Sequence, residues 1–408
     1  MLGQAHSFAI CAAFSRHRRW FDETATGAQR YHNIAILLVI IPFCHCRKNR
    51  LPHPDAHLLA IGTAVPGHDI HRAFIGWARE QVESERHRRL FDRMAARAGV
   101  NHRWSVLPPG AKGESPVDAG GYYDCMPWPG TAMRMASYAH MAPELAMRAV
   151  DDLARQIPLG EITHLVVASC TGFVAPGIDQ ILARRLGLAA SVERLLIGFM
   201  GCYAAISALR TARHIVRSTP DARVLVVCVE LSTLHLQQSR EIEPLLAMLQ
   251  FGDGAAAALV SAQPGGLALA APFATTLPDS ADLIRWHITD HGFAMHLSGE
   301  VPKRIAMGLA DAGFACATTG GQAPATIDGW AVHAGGRSIL DAVEAAFGLA
   351  PEQLAVSRAV LADYGNMSSA TLLFVLAGLM ARAPIANGVA LAFGPGLAAE
   401  GFGFRSVA

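Results

Sequence analysis

Short apolar runs ending at glycine or proline, alternating with longer segments of helical spacing, predict an α/β protein with helix-covered sheets. Composition agrees: hydrophobic residues make up 52% and charged residues 16% of the 408 positions. That balance supplies a large core and lies far from the disordered class. The length accommodates one large domain or two to three ordinary ones.

The first 56 residues differ in texture from the rest, with seven basic residues against three acidic ones. Their apolar run, Ile34 to Phe43, is broken by Pro42 and falls short of the roughly 20 residues a spanning helix needs. No small-residue cleavage site follows it, which argues against a signal peptide. Three readings stay open: a poorly ordered extension, an interfacial helix, or upstream sequence from a misassigned start. None gives this stretch a catalytic role.

From His57 the alternation begins. His57 to Pro66 reads as a buried strand closed by Gly62 and Pro66. Ile75 to Ala98 has helical spacing, with Trp77, Val82, Leu90 and Met94 on its inner face. A Gly/Pro-rich loop follows over 108–129, then a helix over Ala142 to Ile157 and a strand over Thr163 to Cys170. Further strands are predicted at Leu195–Phe199, Val224–Val229, Ala255–Val260, Gly329–Val332 and Val389–Phe393. No short-period repeat is visible.

Charge and cysteine usage exclude several function classes. Thirty-four basic residues nearly balance 33 acidic ones, so nothing marks a counterion-driven binder of nucleic acid or anionic membrane. The eight cysteines are scattered without a CxxC block, which argues against a zinc site or a disulfide scaffold. Free thiols in a reducing compartment, the cytoplasm, are the natural reading, and one of them could be reactive.

Three segments could carry chemistry. In Leu195-Leu-Ile-Gly-Phe-Met-Gly-Cys202, a strand runs into a glycine turn and a small-residue helix starts near the cysteine. Unpaired N–H groups and the helix dipole there favour a thiolate, so the spacing predicts a thiol pKa pulled down and a good acyl acceptor. The alternative is a buried structural cysteine. In Gly329-Trp-Ala-Val-His333-Ala-Gly-Gly-Arg-Ser338-Ile-Leu-Asp341, His333 ends a strand at a glycine turn, where Nε2–H could donate to a carbonyl. Ser338 and Asp341 there read as a capping box. In Asp363-Tyr-Gly-Asn366-Met-Ser-Ser369, Asn366 follows a glycine and precedes serines able to cap an apolar helix. Alone, that pair is a turn signal.

Together, cysteine, histidine and asparagine in this order, each at a turn leading into a helix, are far more specific. With Ala60-Ile-Gly-Thr-Ala-Val-Pro66, Phe251-Gly-Asp-Gly-Ala255, His333-Ala-Gly-Gly336, Tyr364-Gly-Asn-Met-Ser-Ser-Ala370 and Phe393-Gly-Pro-Gly-Leu397, they resemble the type III polyketide synthases, the chalcone-synthase-like family. Gly198-Phe-Met-Gly-Cys202 and Val229-Glu-Leu-Ser-Thr-Leu-His-Leu236 look most like its bacterial alkylresorcinol and alkylpyrone synthases. The resemblance runs from His57 to the C-terminus. It implies a thiolase-like fold of duplicated, five-layered αβαβα architecture. One half, 57–270, carries the nucleophile, and the other, 271–408, carries the histidine and asparagine.

The resemblance also implies a homodimer that uses an acyl-CoA starter and malonyl-CoA, with no metal, no further cofactor and no stable membrane insertion. Cys202, His333 and Asn366 are then the expected catalytic residues. Cys202 takes the acyl chain as its thiolate, paired with His333, and His333 with Asn366 stabilises the enolate left by decarboxylation. Phe251 and Met295 match the gate between CoA tunnel and cavity; Met295 stands where plant enzymes carry phenylalanine. Cys170 and Ser368 are expected in the cavity wall, and Arg103 and Arg337, with Arg97, near the CoA tunnel. Asn101 stands where relatives place a basic residue. Cys170, although Ser169-Cys170-Thr-Gly mimics the nucleophile motif of ketoacyl synthase III, is followed by Val174-Ala-Pro176 where a nucleophile helix should start. Two other readings are a ketoacyl synthase III-like enzyme performing one condensation and a catalytically silent thiolase-fold partner subunit.

Overall fold

The computed structural model describes residues 54–407 except 112 and 114, so the expectations for the leading stretch through residue 53 lie outside the described residues. Thirteen strands are described. The first seven are β1 (Ala56–Ala64), β2 (His68–Asp69), β3 (Trp104–Ser105), β4 (His164–Ser169), β5 (Glu193–Gly198), β6 (Arg223–Leu231) and β7 (Asp253–Ser261). The others are β8 (Gly266–Thr276), β9 (Ile284–Thr289), β10 (Gly292–Leu297), β11 (Gly329–Val332), β12 (Gly388–Gly394) and β13 (Ala398–Val407). Nine of them form one sheet in the order β11-β12-β13-β8-β1-β7-β6-β4-β5.

The sheet repeats a pattern. Strands β5, β4 and β6 run parallel, and β7 and β1 then continue antiparallel. Strands β11 and β12 run parallel, and β13 and β8 continue antiparallel. The halves join where β1 pairs with β8. The boundary expected after residue 270 falls inside β8.

The helices are α1 (His71–Gln81), α2 (Glu85–Ala96), α3 (Thr131–Gln156), α4 (Ile178–Arg185), α5 (Ala204–Ser218) and α6 (Ile242–Met248). They continue with α7 (Val301–Ala310), α8 (Ala312–Thr318), α9 (Arg337–Phe347), α10 (Ala355–Tyr364) and α11 (Ser369–Met380). Leu372, Leu373, Val375 and Leu376 make α11 apolar around its circumference, the mark of a helix enclosed on all sides. With Ala205, Ile206 and Leu209 of α5 it fills the space between the two halves. Helix α3 covers the outer face of the first half, and α7 and α9 cover that of the second. The result is the five-layered, thiolase-like arrangement. Gly62 is required by it: a Cβ there would lie 2.1 Å from the backbone nitrogen of Leu153 in α3.

Several sequence expectations need correcting. The single helix over 75–98 is two, because Val82 is extended and Ser84 caps α2 by accepting from the His87 N–H at 3.1 Å. Helix α3 begins 11 residues before the expected start and runs through Pro143; Tyr138, Ala142 and Leu145 bury the continuation, and that packing overrides the proline. Strands β8 and β13 were hidden by alanine, glycine and Pro272, poor β formers that the neighbouring strands hold in register.

Candidate active site

Strand β5 delivers the chain to Cys202 through a tight reversal. Phe199 and Gly201 have φ of 58° and 78°, and a 3₁₀ turn over Gly201–Tyr203 leads into α5. At Gly201 the positive φ favours glycine, and a Cβ would also meet Pro395 Cδ at 2.5 Å. The turn puts Cys202 ahead of α5, inside the protein. Burial pushes its thiol up to about 11, against hydrogen bonds from Asn366 and Ser368 that favour the thiolate. The expected lowering is therefore overturned: desolvation outweighs the helix terminus.

Strand β11 delivers His333, whose N–H donates to Leu391 O at 2.8 Å and so extends the pairing with β12. The imidazole packs on Gly335, where a Cβ would lie 3.3 Å from Cδ2 and 3.5 Å from Nε2. Neither ring nitrogen has a partner, and burial holds the pKa down to about 3. Burial thus disfavours the charged form of both groups, against the direction that the expected thiolate–imidazolium pair requires. The capping box expected downstream is not formed either. The N-cap of α9 is Gly336, and Asp341 pairs with Arg358 at 2.7 Å.

Asn366 links the segments. Its backbone bridges to Phe251, with Asn366 N–H donating to Gln250 O at 2.8 Å and Gly252 N–H to Asn366 O at 3.0 Å. Its Oδ1 accepts from Ser368 N–H at 2.8 Å, and its Nδ2 donates to Gly335 O at 3.1 Å. The same Nδ2 lies 4.0 Å from Cys202 Sγ. The amide therefore touches both the histidine's glycine turn and the cysteine. The serines beyond it do not cap α11. Ser368 has φ 47° and gives its N–H to Asn366, while Ser369 gives its hydroxyl to Glu230. Phe199 and Ser368, two non-glycine residues at positive φ, both line the space before Cys202, and such strain gathers at functional sites.

That space is a chamber of about 430 Å³ lined by Cys202, Cys170, Thr171, Ser368, Phe251 and Met295 among others. Ser232, Phe251, Trp286 and Met295 also line a second, mostly apolar cavity of about 770 Å³, partly open to solvent. These four residues therefore border both spaces. Trp286 and Met295 face each other across the β9–β10 hairpin, and the indole N–H donates to Cys170 O at 2.9 Å. Beside them, His235 stacks on Phe293 with centroids 4.2 Å apart. Phe293 N–H donates to its Nδ1 at 3.0 Å, which leaves Nε2–H to donate to Thr171 O at 2.8 Å.

Cys170 is in the chamber wall, and its Sγ accepts from Gly201 N–H at 3.0 Å. Arg103 is a correction. It is 2% exposed, its Nη1 donates to Met248 O and Phe251 O at 2.9 and 2.8 Å, and its Nε donates to His71. It lies in the wall of the apolar cavity, not on a surface offered to phosphates. Arg337 is exposed at the start of α9, 3.4 Å from Arg97 O.

Sequence reasoning missed Glu230, Trp286 and His235. Glu230 is fully buried and accepts from Cys170 N–H and Thr171 Oγ1, each at 2.9 Å, and from Ser369 Oγ. Burial raises its carboxyl to about 7. A lone carboxylate after Val224-Leu-Val-Val-Cys-Val229 was the available signal. Among the described residues no group of three or more His, Cys, Asp or Glu could hold a metal, and no helix is long and apolar enough to cross a membrane.

Comparison with known proteins agrees with this geometry. Residues 45–264 match the chalcone and stilbene synthases' N-terminal domain, and residues 268–408 match their C-terminal domain. The alpha-pyrone synthesis polyketide synthase-like Pks18 of Mycobacterium tuberculosis is 36% identical over 281 residues, 65% of this chain and 71% of that protein. Among solved structures, PKS-I from the brown alga Ectocarpus siliculosus superposes with a TM-score of 0.77 at 29% identity, covering 87% of this chain and 99% of that one. The C-terminal type III polyketide synthase domain of Steely1 from Dictyostelium gives 0.78 at 25%, covering 87% and 100%. Two domain matches spanning the whole described fold leave one conclusion: the chain belongs to the chalcone and stilbene synthase family and is a type III polyketide synthase, an acyltransferase.

Proposed function

We propose that the enzyme loads a long-chain fatty acyl group from CoA onto Cys202 and extends it with malonyl-CoA to an alkylpyrone or alkylresorcinol. The observation that carries this reading is the junction of two spaces at Phe251 and Met295. One holds the cysteine, and the other is mostly apolar, suited to a hydrocarbon chain. Met295 is unbranched and adaptable, which fits a flexible alkyl group at the aperture.

Loading starts at the Cys202 thiol. The Cys202 proton passes to His333 as sulfur attacks the thioester carbonyl, and then to the departing CoA sulfur, releasing CoA as its thiol. In the extension step His333 Nε2–H and Asn366 Nδ2–H donate to the thioester oxygen of malonyl-CoA. The bond to the carboxylate breaks, carbon dioxide leaves, and its electron pair becomes the enolate those donors stabilise. The enolate carbon attacks the acyl carbon, and the Cys202–acyl bond breaks to return the sulfur for the next cycle. The protein supplies positioning and hydrogen bonds to this chemistry, and CoA carries the acyl groups.

CoA phosphates would meet Arg337 and Arg97, both exposed, with Arg337 Nη1 donating to the Arg97 backbone oxygen at 3.4 Å at the start of α9. The working unit would be a homodimer with one nucleophile-bearing half, 57–270, and one half, 271–408, bearing histidine and asparagine. The five described cysteines are free thiols, as the reducing cytoplasm would keep them. Incubation with acyl-CoAs of varied length and malonyl-CoA, followed by mass spectrometry, tests the reading. Products carrying two or three malonyl-derived units are expected. A single 3-ketoacyl product formed only with carrier-bound malonate would reject it.

A further inference from the structure

The β9–β10 hairpin carries two of the residues that border both spaces, Trp286 and Met295, and it forms a sheet of its own, separate from the nine-stranded one. Its placement therefore rests on bonds from loops and side chains. The turn is tied to α3, where Thr131 N–H donates to Asp290 O at 2.8 Å and Thr131 Oγ1 accepts from Gly292 N–H at 2.7 Å. Nearer the aperture the fastening is a buried ring. His235 is 4% exposed and lies in the wall of the apolar cavity. Its Nδ1 accepts from Phe293 N–H at 3.0 Å, and its Nε2–H donates to Thr171 O at 2.8 Å. The imidazole lies flat on the Phe293 ring, with 9° between the planes, and stands nearly perpendicular to Trp286 at a centroid distance of 5.6 Å.

Those two bonds give the ring a direction. Phe293 N–H is a donor, so Nδ1 is the bare nitrogen and the proton sits on Nε2. Burial disfavours the charged form, which would carry a proton on both. Thr171 lines the chamber in front of Cys202, and Phe293 precedes Met295 by two residues on β10. One ring thus joins the chamber wall to the strand that presents Met295. Trp286 makes a parallel link from β9, its indole N–H donating to Cys170 O at 2.9 Å. Two consecutive carbonyls of the chamber wall therefore hold the rings packed at the aperture.

We propose that His235 is a positioning residue for starter selection: its bond to Phe293 N–H fixes the hairpin, and with it Trp286 and Met295, at the width that passes an alkyl chain between the two spaces. This deepens the reading of a long acyl starter and rests on it. His235 acts through the hairpin and takes no part in the bond changes. Of its two bonds, the one to Phe293 sets the aperture, while the one to Thr171 O anchors the ring. A residue that served packing alone would contribute stability through both bonds and selectivity through neither.

Two substitutions remove the bonds separately. In His235→Asn the amide oxygen replaces Nδ1 and keeps the Phe293 bond, and nothing reaches Thr171 O. In His235→Gln the amide nitrogen replaces Nε2 and keeps the Thr171 bond, and nothing accepts from Phe293 N–H. Each loses one buried bond, so Tm should fall similarly in both. The readout is the kcat/KM ratio of long to short acyl-CoA starters, taken over a series of lengths with malonyl-CoA as extender. Because it is a ratio within one protein, it does not depend on the fraction folded. In His235→Gln it should fall about tenfold or more, through KM for the long starters, with kcat for short ones kept within about threefold. In His235→Asn it should stay within about threefold of the unmodified enzyme. Deuterium uptake over residues 284–297 should rise in the Gln variant alone. An unchanged ratio in His235→Gln, equal losses in the two variants, or an unmodified enzyme with no preference among lengths would overturn the proposal. If His235→Gln does not fold, His235→Ala, which removes both bonds, takes its place with the same expected and refuting results. Absence of polyketide from any acyl-CoA would sink the catalytic reading alone, since dissociation constants of non-transferable thioether-CoA analogues give the same ratios without turnover.

Discussion

Replacing Asn366 by alanine separates the two chemical steps. The side chain makes two internal hydrogen bonds, to Gly335 O at 3.1 Å and from Ser368 N–H at 2.8 Å, and its Nδ2 stands 4.0 Å from the sulfur. Truncation orphans one buried acceptor and one buried donor, roughly 2–4 kcal/mol of stability at about 1–2 kcal/mol each. That is less than the roughly 5–15 kcal/mol total of a typical domain, so the variant should fold with a lowered Tm. The enolate, however, loses one of two donors. By comparison with other oxyanion sites this costs about 10²–10³ in rate, or about 3–4 kcal/mol of transition-state stabilisation. Acylation of Cys202 can be timed by intact-protein mass after mixing with acyl-CoA. Decarboxylation can be timed by carbon dioxide release from malonyl-CoA on the preacylated enzyme. Acylation should stay within about tenfold while decarboxylation falls by the full factor. If decarboxylation in Asn366→Ala stays within threefold, or both steps fall together, the donor role is wrong.

Other perturbations follow the same geometry. Gly201→Ala combines a positive φ with a Cβ 2.5 Å from Pro395 Cδ, so acylation of Cys202 should drop by more than tenfold; wild-type rates in a folded variant would refute the strain argument. Glu230→Gln puts an NH₂ among three donors and should lower stability by about 1–3 kcal/mol in denaturant melts, with no change contradicting it. Met295→Trp narrows the aperture shared by both spaces, and the kcat/KM ratio of long to short starters should fall at least tenfold. For pH, burial holds the folded pKa of His71 at about 4 and those of His235 and His333 at about 3. Their stabilisation is complete above the unfolded value of about 6.5 and is lost as pH falls toward the folded values. Glu230 and Asp253, raised to about 7 and 6, act oppositely, their contribution being present below about 4 and lost as pH rises. Thermal melts should therefore show a gradual fall in Tm from about pH 6 to about pH 3 from these groups, levelling off below it; a Tm that stays constant across that range would contradict this balance.

Much of the site was legible because each chemical residue follows a strand or turn that local sequence encodes. Gly329-Trp-Ala-Val is β11 as expected, and Leu195-Leu-Ile-Gly lies within β5, so His333 and the turn before Cys202 were located by the apolar runs ahead of them. Asn366 was harder, since its position is fixed by a bridge to Phe251, more than 100 residues earlier in the chain. Arg103 shows the limit. Its sequence context suggested an exposed cation, and only the packing of Phe74, His71 and the carbonyls near Phe251 places it inside. Trp286 and His235 were invisible for a similar reason: their importance comes from Cys170 O and Phe293, which reach them across the fold.

The thiol makes the same point for reactivity. Helix position alone predicted a thiolate, and burial reverses the sign: Cys202 is pushed up to about 11 and His333 down to about 3. In both groups burial disfavours the charged form. The ionic state is then disfavoured until a substrate carbonyl accepts the charge that sulfur releases. Burial therefore predicts that attack on the acyl thioester and proton transfer from the Cys202 sulfur occur together, and a solvent isotope effect on the acylation rate checks it, its absence contradicting the prediction.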